Sequence, residues 1–201
     1  ILGAFQMVGT DVLEDSMVIG ELGLDGRVKP VSGVLSLAAM AREKGIRRCF
    51  LPLENVEEGL VMEGVDMVGV KSLGHMAGIL RGAVSMEPCH VPPHRPEYRR
   101  QKKDGPDYRE VNGQAILRRA AEVAAGMHGL LLTGSAGTGK SMIARRIPTI
   151  LPGLTREEDI EISRIYSICG LLPPGRPLLS ERPFRSPHHT ITARALAGGG
   201  V

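Results

Sequence analysis

The residues with the clearest potential for chemistry are those of the run 134–141, which reads Gly-Ser-Ala-Gly-Thr-Gly-Lys-Ser. This run, called the phosphate loop below, matches G-x-x-x-x-G-K-[S/T], whose glycines let backbone N–H groups converge on one concavity. Lys140 is expected to contact the β- and γ-phosphates of a nucleotide, and the Ser141 hydroxyl to ligate Mg²⁺. The pattern predicts that ATP with Mg²⁺ is bound by Gly134, Ser135, Ala136, Gly137, Thr138, Gly139, Lys140 and Ser141.

The elements on either side of the phosphate loop favour the same interpretation. The apolar run Leu130 to Leu132 directly precedes the loop and predicts a short buried strand. Residues 141–151 carry apolar side chains at helical spacing and predict a helix, which Pro148 is expected to kink or end early. The alternative is a glycine-rich turn between strand and helix without a ligand. The complete motif behind a predicted strand favours nucleotide binding.

Composition excludes several classes of protein. The chain has 201 residues, a formal charge of +3, no Trp and only three Tyr and three Phe, so widespread stacking on single-stranded bases is excluded. The mild positive charge gives weak support to a polyanionic partner. Cys49, Cys89 and Cys169 are widely spaced and odd in number, which argues against a disulfide framework and for a reducing compartment.

Targeting signals are not evident in the sequence. No apolar run approaches the length of a membrane span and no signal peptide is evident, so we expect no membrane partner and a cytoplasmic protein. The chain begins with Ile1 instead of Met and ends at Val201, soon after an approach to a new element. We therefore expect a piece of a longer protein that lacks sequence at both ends.

The first part of the chain, to about residue 85, alternates strand and helix patterns, which predicts an α/β unit. A strand at 16–24 is expected to end in a turn at Asp25-Gly26. The further predicted elements are a helix at 34–44 ended by Gly45, a strand at 47–52, a short helix at 54–60, a strand at 65–70 and a helix at 72–83 capped by Ser72.

Residues 86–106 differ in composition, because prolines and basic residues alternate there. Prolines cannot continue a helix or a central strand, so a semi-rigid solvated linker is favoured over a nucleic-acid-binding segment. Cys89, His90 and His94 could in principle ligate zinc, but three donors without a partner cluster give a weak signal.

The second part of the chain, 107–201, carries the phosphate loop and further helix signals. A helix is predicted at 114–125, and Thr155 to Glu158 form a capping box that introduces a helix to about residue 169. The remainder is rich in loop residues. Adjacent His188 and His189 are expected to point to opposite sides of an extended segment, which favours a structural or DNA-facing loop over metal binding. Two interpretations of Arg182 and Arg185 stay open: they bind a phosphate group, or they are ordinary surface charges.

Several segments resemble known ATPases. The segment Tyr108-Arg-Glu-Val-Asn-Gly-Gln114 followed by the phosphate loop is similar to the opening of the nucleotide pocket in AAA+ ATPases. Three further motifs, 145–152, 170–174 and 182–189, resemble the magnesium-chelatase-like ATPases of the ComM/YifB family. The resemblance implies an α/β fold with a Lon-protease-like domain of the ribosomal S5 domain 2-like fold at 1–85, a linker at 86–106 and an AAA+ domain at 107–201.

Similarity to Lon proteases covers 20–30 and 45–55 but fails where proteolysis would need it. Lon-type enzymes use a Ser-Lys dyad, in which the lysine lowers the energy needed to form the serine alkoxide. In the corresponding segment 30–36, Leu35 falls at the place of that lysine, and the serine-bearing stretch lies outside the chain or is absent. The resemblance therefore implies a domain for assembly or partner binding, without peptidase activity.

The family resemblance also implies a function. Members are described as ATP-driven motors on DNA that act in branch migration during uptake and recombination, assembled as hexameric rings with ATP between neighbouring subunits. In the family, the acidic Walker B strand, the sensors and the arginine finger follow the point at which Val201 ends this chain. The chain is therefore expected to bind ATP and, if at all, to hydrolyse it slowly.

Two other functions compete with a DNA motor. One is a metal-insertion ATPase, because magnesium chelatase shares this ATPase core. The other is a non-enzymatic adaptor whose protein contacts are gated by nucleotide. The Lon-like domain in front favours the DNA motor, because the chelatase ATPase subunit lacks it.

Overall fold

The computed structural model describes residues 8–9, 11–90, 105–173 and 175–198. Contacts divide the chain into two compact units, of which the first comprises Ile1–Arg99 with Leu154–Ser180 and the second Arg100–Gly153 with Glu181–Val201. The segment 154–180 is therefore grouped with the N-terminal part of the chain. The domain limits at 85 and 107 remain predictions.

A small parallel sheet forms the centre of the first unit, as the α/β pattern predicts. Strands β1 (Ser16–Val18), β4 (Arg48–Pro52) and β5 (Asp66–Val70) are ordered β1-β4-β5, with both pairs parallel. Cys49 lies between Met17 and Met67 in this register. The central strand is covered on both faces, which explains its continuous apolar sequence.

Helices flank this sheet and differ in how many side chains they bury. Helix α2 (Val34–Glu43) buries Val34, Leu35, Ala38, Ala39 and Ala41, and its end at Gly45 (φ +70°) agrees with the prediction. Helices α1 (Asp11–Glu14) and α3 (Val56–Gly59) are short. Helix α4 (Leu73–Leu80) begins at Ser72, whose side chain accepts a hydrogen bond from the His75 N–H as expected for a cap.

The predicted strand at 16–24 is wrong as a single element. Strand β1 ends at Val18, and β2 (Glu21–Leu22) pairs instead with β3 (Val28–Lys29) in a separate antiparallel hairpin. Gly20 has a φ of +146°, which takes the chain out of the line of β1. The turn at Asp25-Gly26 is confirmed, because it closes this hairpin with a Gly23 N–H to Arg27 carbonyl bond of 2.8 Å.

The predicted helix at 54–60 begins as a 3₁₀ turn, Leu53–Asn55, and becomes α-helical only at Val56. The Asn55 side chain explains the change, because it bonds to the backbone of Val31 in both directions, at 2.9 and 3.0 Å. A side-chain amide used in this way competes with regular helix geometry. It also ties the loop before α2 to the loop after β4.

Helix α7 (Arg156–Ile168) belongs to the first unit. Its predicted capping box is confirmed, because Thr155 and Glu158 exchange both hydrogen bonds. The Gly33 N–H donates to the Ser167 carbonyl at 3.1 Å, and Arg156 pairs with Glu63 at 3.1 Å. The Glu58 carboxylate accepts hydrogen bonds from the Leu35 N–H and the Ser167 hydroxyl. Polar bonds therefore attach α7 to the start of α2.

The second unit is helical in its described residues. Helix α5 (Ala115–Ala125) confirms the predicted helix, and α8 (Ala193–Ala197) is short. Helix α6 (Lys140–Arg146) continues as the 3₁₀ turn Ile147–Ile150, so the α-helix ends just before Pro148 as predicted. The core consists of Tyr108, Val111, Ala121 and Ile143.

The predicted strand at Leu130 to Leu132 is wrong, because these residues adopt no regular secondary structure. A strand exists only with a partner, and the second unit contains no strand among its described residues. Leu131 is 86% exposed instead of buried. None of the helices in the described ranges is long and apolar enough to cross a membrane.

Candidate nucleotide-binding site

The phosphate loop has the backbone conformation that its glycines make possible. Gly134, Gly137 and Gly139 have φ values of +147°, +81° and +84°. Side chains rarely tolerate such values, so these positions need glycine for conformation. A Cβ at Gly137 would meet nothing within 4 Å, which shows that backbone geometry, not crowding, restricts that position.

Lys140 extends over the loop that precedes it. Its ammonium donates hydrogen bonds to the carbonyl oxygens of Gly134 at 2.9 Å and Ser135 at 2.5 Å, and to the Thr138 hydroxyl at 3.2 Å. The Thr138 hydroxyl in turn donates to the Ser135 carbonyl at 3.0 Å. A positive charge is therefore held inside the curve of the loop, where phosphate oxygens are expected to lie.

The remaining residues of the motif lie at the surface of the same loop. Ser135 and Ala136 are exposed, and Ser141 is exposed in the first turn of α6 beside Lys140. A serine hydroxyl is a hard oxygen ligand of the kind that Mg²⁺ accepts together with phosphate oxygens. The donor set therefore fits a Mg²⁺–nucleotide complex.

The segment before α5 is attached to the far end of α6. The Tyr108 N–H donates to the Thr149 hydroxyl at 3.0 Å, and the Tyr108 hydroxyl donates to the Arg118 carbonyl at 2.7 Å. Tyr108 is buried, and this burial raises the pKa of its phenol. Its bonds hold α5 and the 3₁₀ turn after α6 together behind the phosphate loop.

An ion pair completes this attachment. Arg146 donates to the Glu110 carboxylate at 2.7 Å and to the Asp107 carbonyl at 3.2 Å. The hydrogen bond from Arg146 is the main reason that the pKa of Glu110 lies below its ordinary value of 4.5. Pattern analysis missed this pair, because the partners lie 36 residues apart and neither belongs to the loop motif.

The lowered pKa predicts how the stability of the second unit depends on pH. A carboxyl whose pKa is depressed by folding stabilises the protein above its unfolded pKa, and this contribution is lost as pH falls through the folded value. At neutral pH we expect the wild type to have a higher thermal midpoint than Glu110→Gln. As pH falls below about 4.5, we expect the two midpoints to converge. Thermal unfolding of both proteins between roughly pH 3 and pH 7 measures the difference.

Glu63→Gln is the matched control, because it removes a carboxylate from the exposed pair with Arg156 in the first unit. If the two variants change the pH dependence equally, the effect reports net charge and not the Arg146 bond.

A cavity of about 700 Å³ adjoins the phosphate loop. One wall is the first half of α5, and the other is the apolar run before the loop. The cavity is lined by Gln114, Ala115, Ile116, Leu117, Ala120, Leu130, Leu131, Leu132, Thr133, Gly134, Thr138 and Lys140. Most of these residues have aliphatic side chains, and Lys140 contributes the charged group.

The two histidines do not point apart as predicted. The rings of His188 and His189 are in contact, with centroids 4.0 Å apart and planes tilted by 40°. The segment turns at this point, and His188 Nδ1 lies 2.8 Å from the Thr190 hydroxyl, so the geometry of an extended strand does not apply. Arg182 Nε donates to the Pro152 carbonyl at 2.9 Å, and Arg182 and Arg185 both have further interactions.

The weak zinc signal receives no support from the part of the chain that the structure describes. No group of three or more His, Cys, Asp or Glu side chains there could hold a metal ion. Cys89 is joined to β5 by its N–H, which donates to the Met67 carbonyl at 2.6 Å. His94 and the basic residues Arg95, Arg99, Arg100, Lys102 and Lys103 lie outside the described residues.

Leu35, which the resemblance to Lon proteases aligns with their catalytic lysine, is completely buried in the core of the first unit. The other members of this buried cluster are apolar, and they include Cys49 and Leu51 of β4 and Met67 of β5. An apolar core occupies this position instead of a polar catalytic group.

Two family models match the chain. One, described as magnesium chelatase, subunit ChlI, matches residues 107–201, and another, described as subunit ChlI of Mg-chelatase, matches residues 1–55. The first match contains the whole phosphate loop.

Curated relatives match over the full length of the chain. They include an uncharacterized protein of Mycobacterium tuberculosis (39% identical, 39% of its length), YifB of Escherichia coli (32%, 38% of its length) and competence protein ComM of Haemophilus influenzae (29%, 39% of its length). A shorter match, 24% identical over 93 residues, is to Lon protease 2 of Bacillus subtilis. The chain spans about two fifths of the length of the relatives that it matches throughout.

Proposed function

We propose that the phosphate loop binds ATP with Mg²⁺, because the chain belongs to the magnesium-chelatase-like AAA+ ATPases of the ComM and YifB type. One observation carries the proposal, namely that the Lys140 ammonium lies within the curve of a loop shaped by three glycines of positive φ. This arrangement holds a cation at the curve of a loop whose sequence motif is typical of backbone N–H groups that converge on one concavity. Phosphate groups are the ligands that such a concavity recognises.

Each residue of the loop has a separate role in this proposal. Lys140 offsets the negative charge of the β- and γ-phosphates, and Gly134, Gly137 and Gly139 allow the backbone to approach them closely. Ser141 would supply an oxygen ligand to Mg²⁺, which when bound would offset the negative charge of the phosphates. The Arg146–Glu110 pair and Tyr108 act from behind the loop by fixing the helices that carry it.

For the whole protein, we propose an ATP-driven motor that remodels DNA in recombination and transformation. Similarity to a protein named for competence supports this proposal. The 93-residue match to a Lon protease also supports it, because the chelatase ATPase subunit lacks a Lon-like domain. We further propose assembly as a hexamer with ATP between subunits, in the cytoplasm. We assign ATP hydrolysis to the whole protein and ATP binding to the part of it that this chain forms.

Two alternatives remain for the whole protein. Magnesium chelatase family models favour a metal-insertion ATPase. The buried Leu35 favours a nucleotide-gated protein adaptor, because a domain that has leucine in place of the catalytic lysine is expected to have a structural role.

Salt-dependent binding to branched DNA separates these functions. If the chain contributes to a DNA motor, a labelled four-way junction should bind, and the logarithm of its affinity should fall linearly with the logarithm of salt concentration. Counterion release causes this fall and makes its slope a count of the phosphates contacted. Fluorescence anisotropy at several salt concentrations measures it. Absence of binding at low salt would count against a DNA-contacting role for this part of the protein.

A further inference from the structure

Within the residues that the structure describes, the Lys140 ammonium bonds only to oxygen atoms of its own loop. Its contacts are the Gly134 carbonyl at 2.9 Å, the Ser135 carbonyl at 2.5 Å and the Thr138 hydroxyl at 3.2 Å. A lysine ammonium has three N–H donors, so these three oxygens can use all of them. A phosphate oxygen can bond to the ammonium only if it replaces one of the three.

Thr138 is the partner best suited to be replaced. Its contact with Lys140 is the longest of the three, and it is the one made by a side chain. The two carbonyl oxygens are fixed by the backbone of the loop, whereas a hydroxyl can leave by rotation about χ1. The Thr138 hydroxyl also makes a second bond, which it donates to the Ser135 carbonyl at 3.0 Å and which the same rotation breaks.

We propose that Thr138 is a positioning residue for Lys140, whose hydroxyl holds the third ammonium N–H until a nucleotide phosphate oxygen takes its place. This inference rests on the proposed binding of ATP by the same loop. The two carbonyl bonds keep the ammonium inside the loop during the exchange. The hydroxyl therefore competes with the phosphate, and its removal favours the nucleotide complex.

Thr138→Val tests the competition, because valine replaces the hydroxyl by a methyl group of similar size. Thr138 is not among the residues of positive φ, so a β-branched side chain causes no backbone strain there. We expect Thr138→Val to bind Mg²⁺–ATP about three- to tenfold more tightly than the wild type, the range given by one lost hydrogen bond. Thr138→Ser, which retains the hydroxyl, should restore the wild-type value. Calorimetry on the full chain measures all three affinities.

A second measurement needs no nucleotide. NMR of the ¹⁵N-labelled Lys140 ammonium reports how fast its protons exchange with water, which depends on the bonds that hold them. We expect faster exchange in Thr138→Val than in the wild type and wild-type exchange in Thr138→Ser. A merely structural role of Thr138 would leave this exchange rate unchanged.

The possible outcomes are distinct. Weaker ATP binding by Thr138→Val, or equal ammonium exchange in all three proteins, would overturn the role of Thr138. If none of the proteins binds ATP while ammonium exchange follows the expected order, the proposed function fails and the contact between Thr138 and Lys140 is upheld. Tighter ATP binding together with faster exchange in Thr138→Val would support both.

Discussion

Lys140→Ala is expected to lower the affinity for Mg²⁺–ATP at least tenfold, which corresponds to about 1.4 kcal/mol or more. The substitution removes the cation that the structure holds within the phosphate loop. It also leaves the carbonyls of Gly134 and Ser135 without the ammonium that joins them. Both the charge that attracts phosphate and a bond that closes the loop are therefore lost. Isothermal calorimetry with the full chain, at fixed Mg²⁺ and ionic strength, measures the affinity.

Lys44→Ala provides the matched control, because Lys44 is an exposed lysine at the end of α2 in the first unit. It reduces the net charge by the same amount, and we expect it to bind ATP as the wild type does. An equal loss in both variants would mean that ATP is attracted by overall charge. If wild type and Lys140→Ala bind ATP equally well, the phosphate loop is not the nucleotide site.

Local sequence patterns predicted the elements of this chain well where the determining interactions are themselves local. The cap at Ser72, the capping box at Thr155 and Glu158, and the glycine that ends α2 each depend on residues within one helical turn. Pro148 likewise ends α6 through its own ring geometry. The phosphate loop belongs to the same group, because its three positive φ values require glycine at fixed spacing.

Patterns failed where partners are distant in sequence. Leu130 to Leu132 have the composition of a strand, but no described strand of their unit lies beside them. Helix α7 was correctly predicted as a helix, yet its packing depends on Glu58 and Gly33, more than a hundred residues earlier in the chain. The Glu110–Arg146 pair behind the loop is a further example. Periodicity carries no information about such pairings.

Leu35→Lys is expected to unfold the core of the first unit and not to create a protease. Leu35 is fully buried at the position that the resemblance to Lon proteases aligns with their lysine, so the new ammonium would enter an apolar core. Moving an ammonium out of water costs several kcal/mol even after relaxation, and the burial of the leucine side chain is lost as well. The Glu58 carboxylate bonds to the Leu35 N–H at 2.9 Å but already accepts from Ser167. We therefore expect a loss of at least about 3 kcal/mol in unfolding free energy.

The thiol of Cys49 reports this loss locally. Cys49 lies on the central strand, and burial raises the pKa of its thiol, so it should react slowly with a thiol reagent in the wild type. Mass spectrometry distinguishes it from the exposed Cys169. Leu35→Lys should make Cys49 react readily, whereas Leu35→Met, which conserves volume, should cost less than about 1.5 kcal/mol and keep it protected. A folded Leu35→Lys variant that cleaves a labelled casein would instead show that the unit retains a serine placed for proteolysis, because a lysine alone cannot complete the dyad.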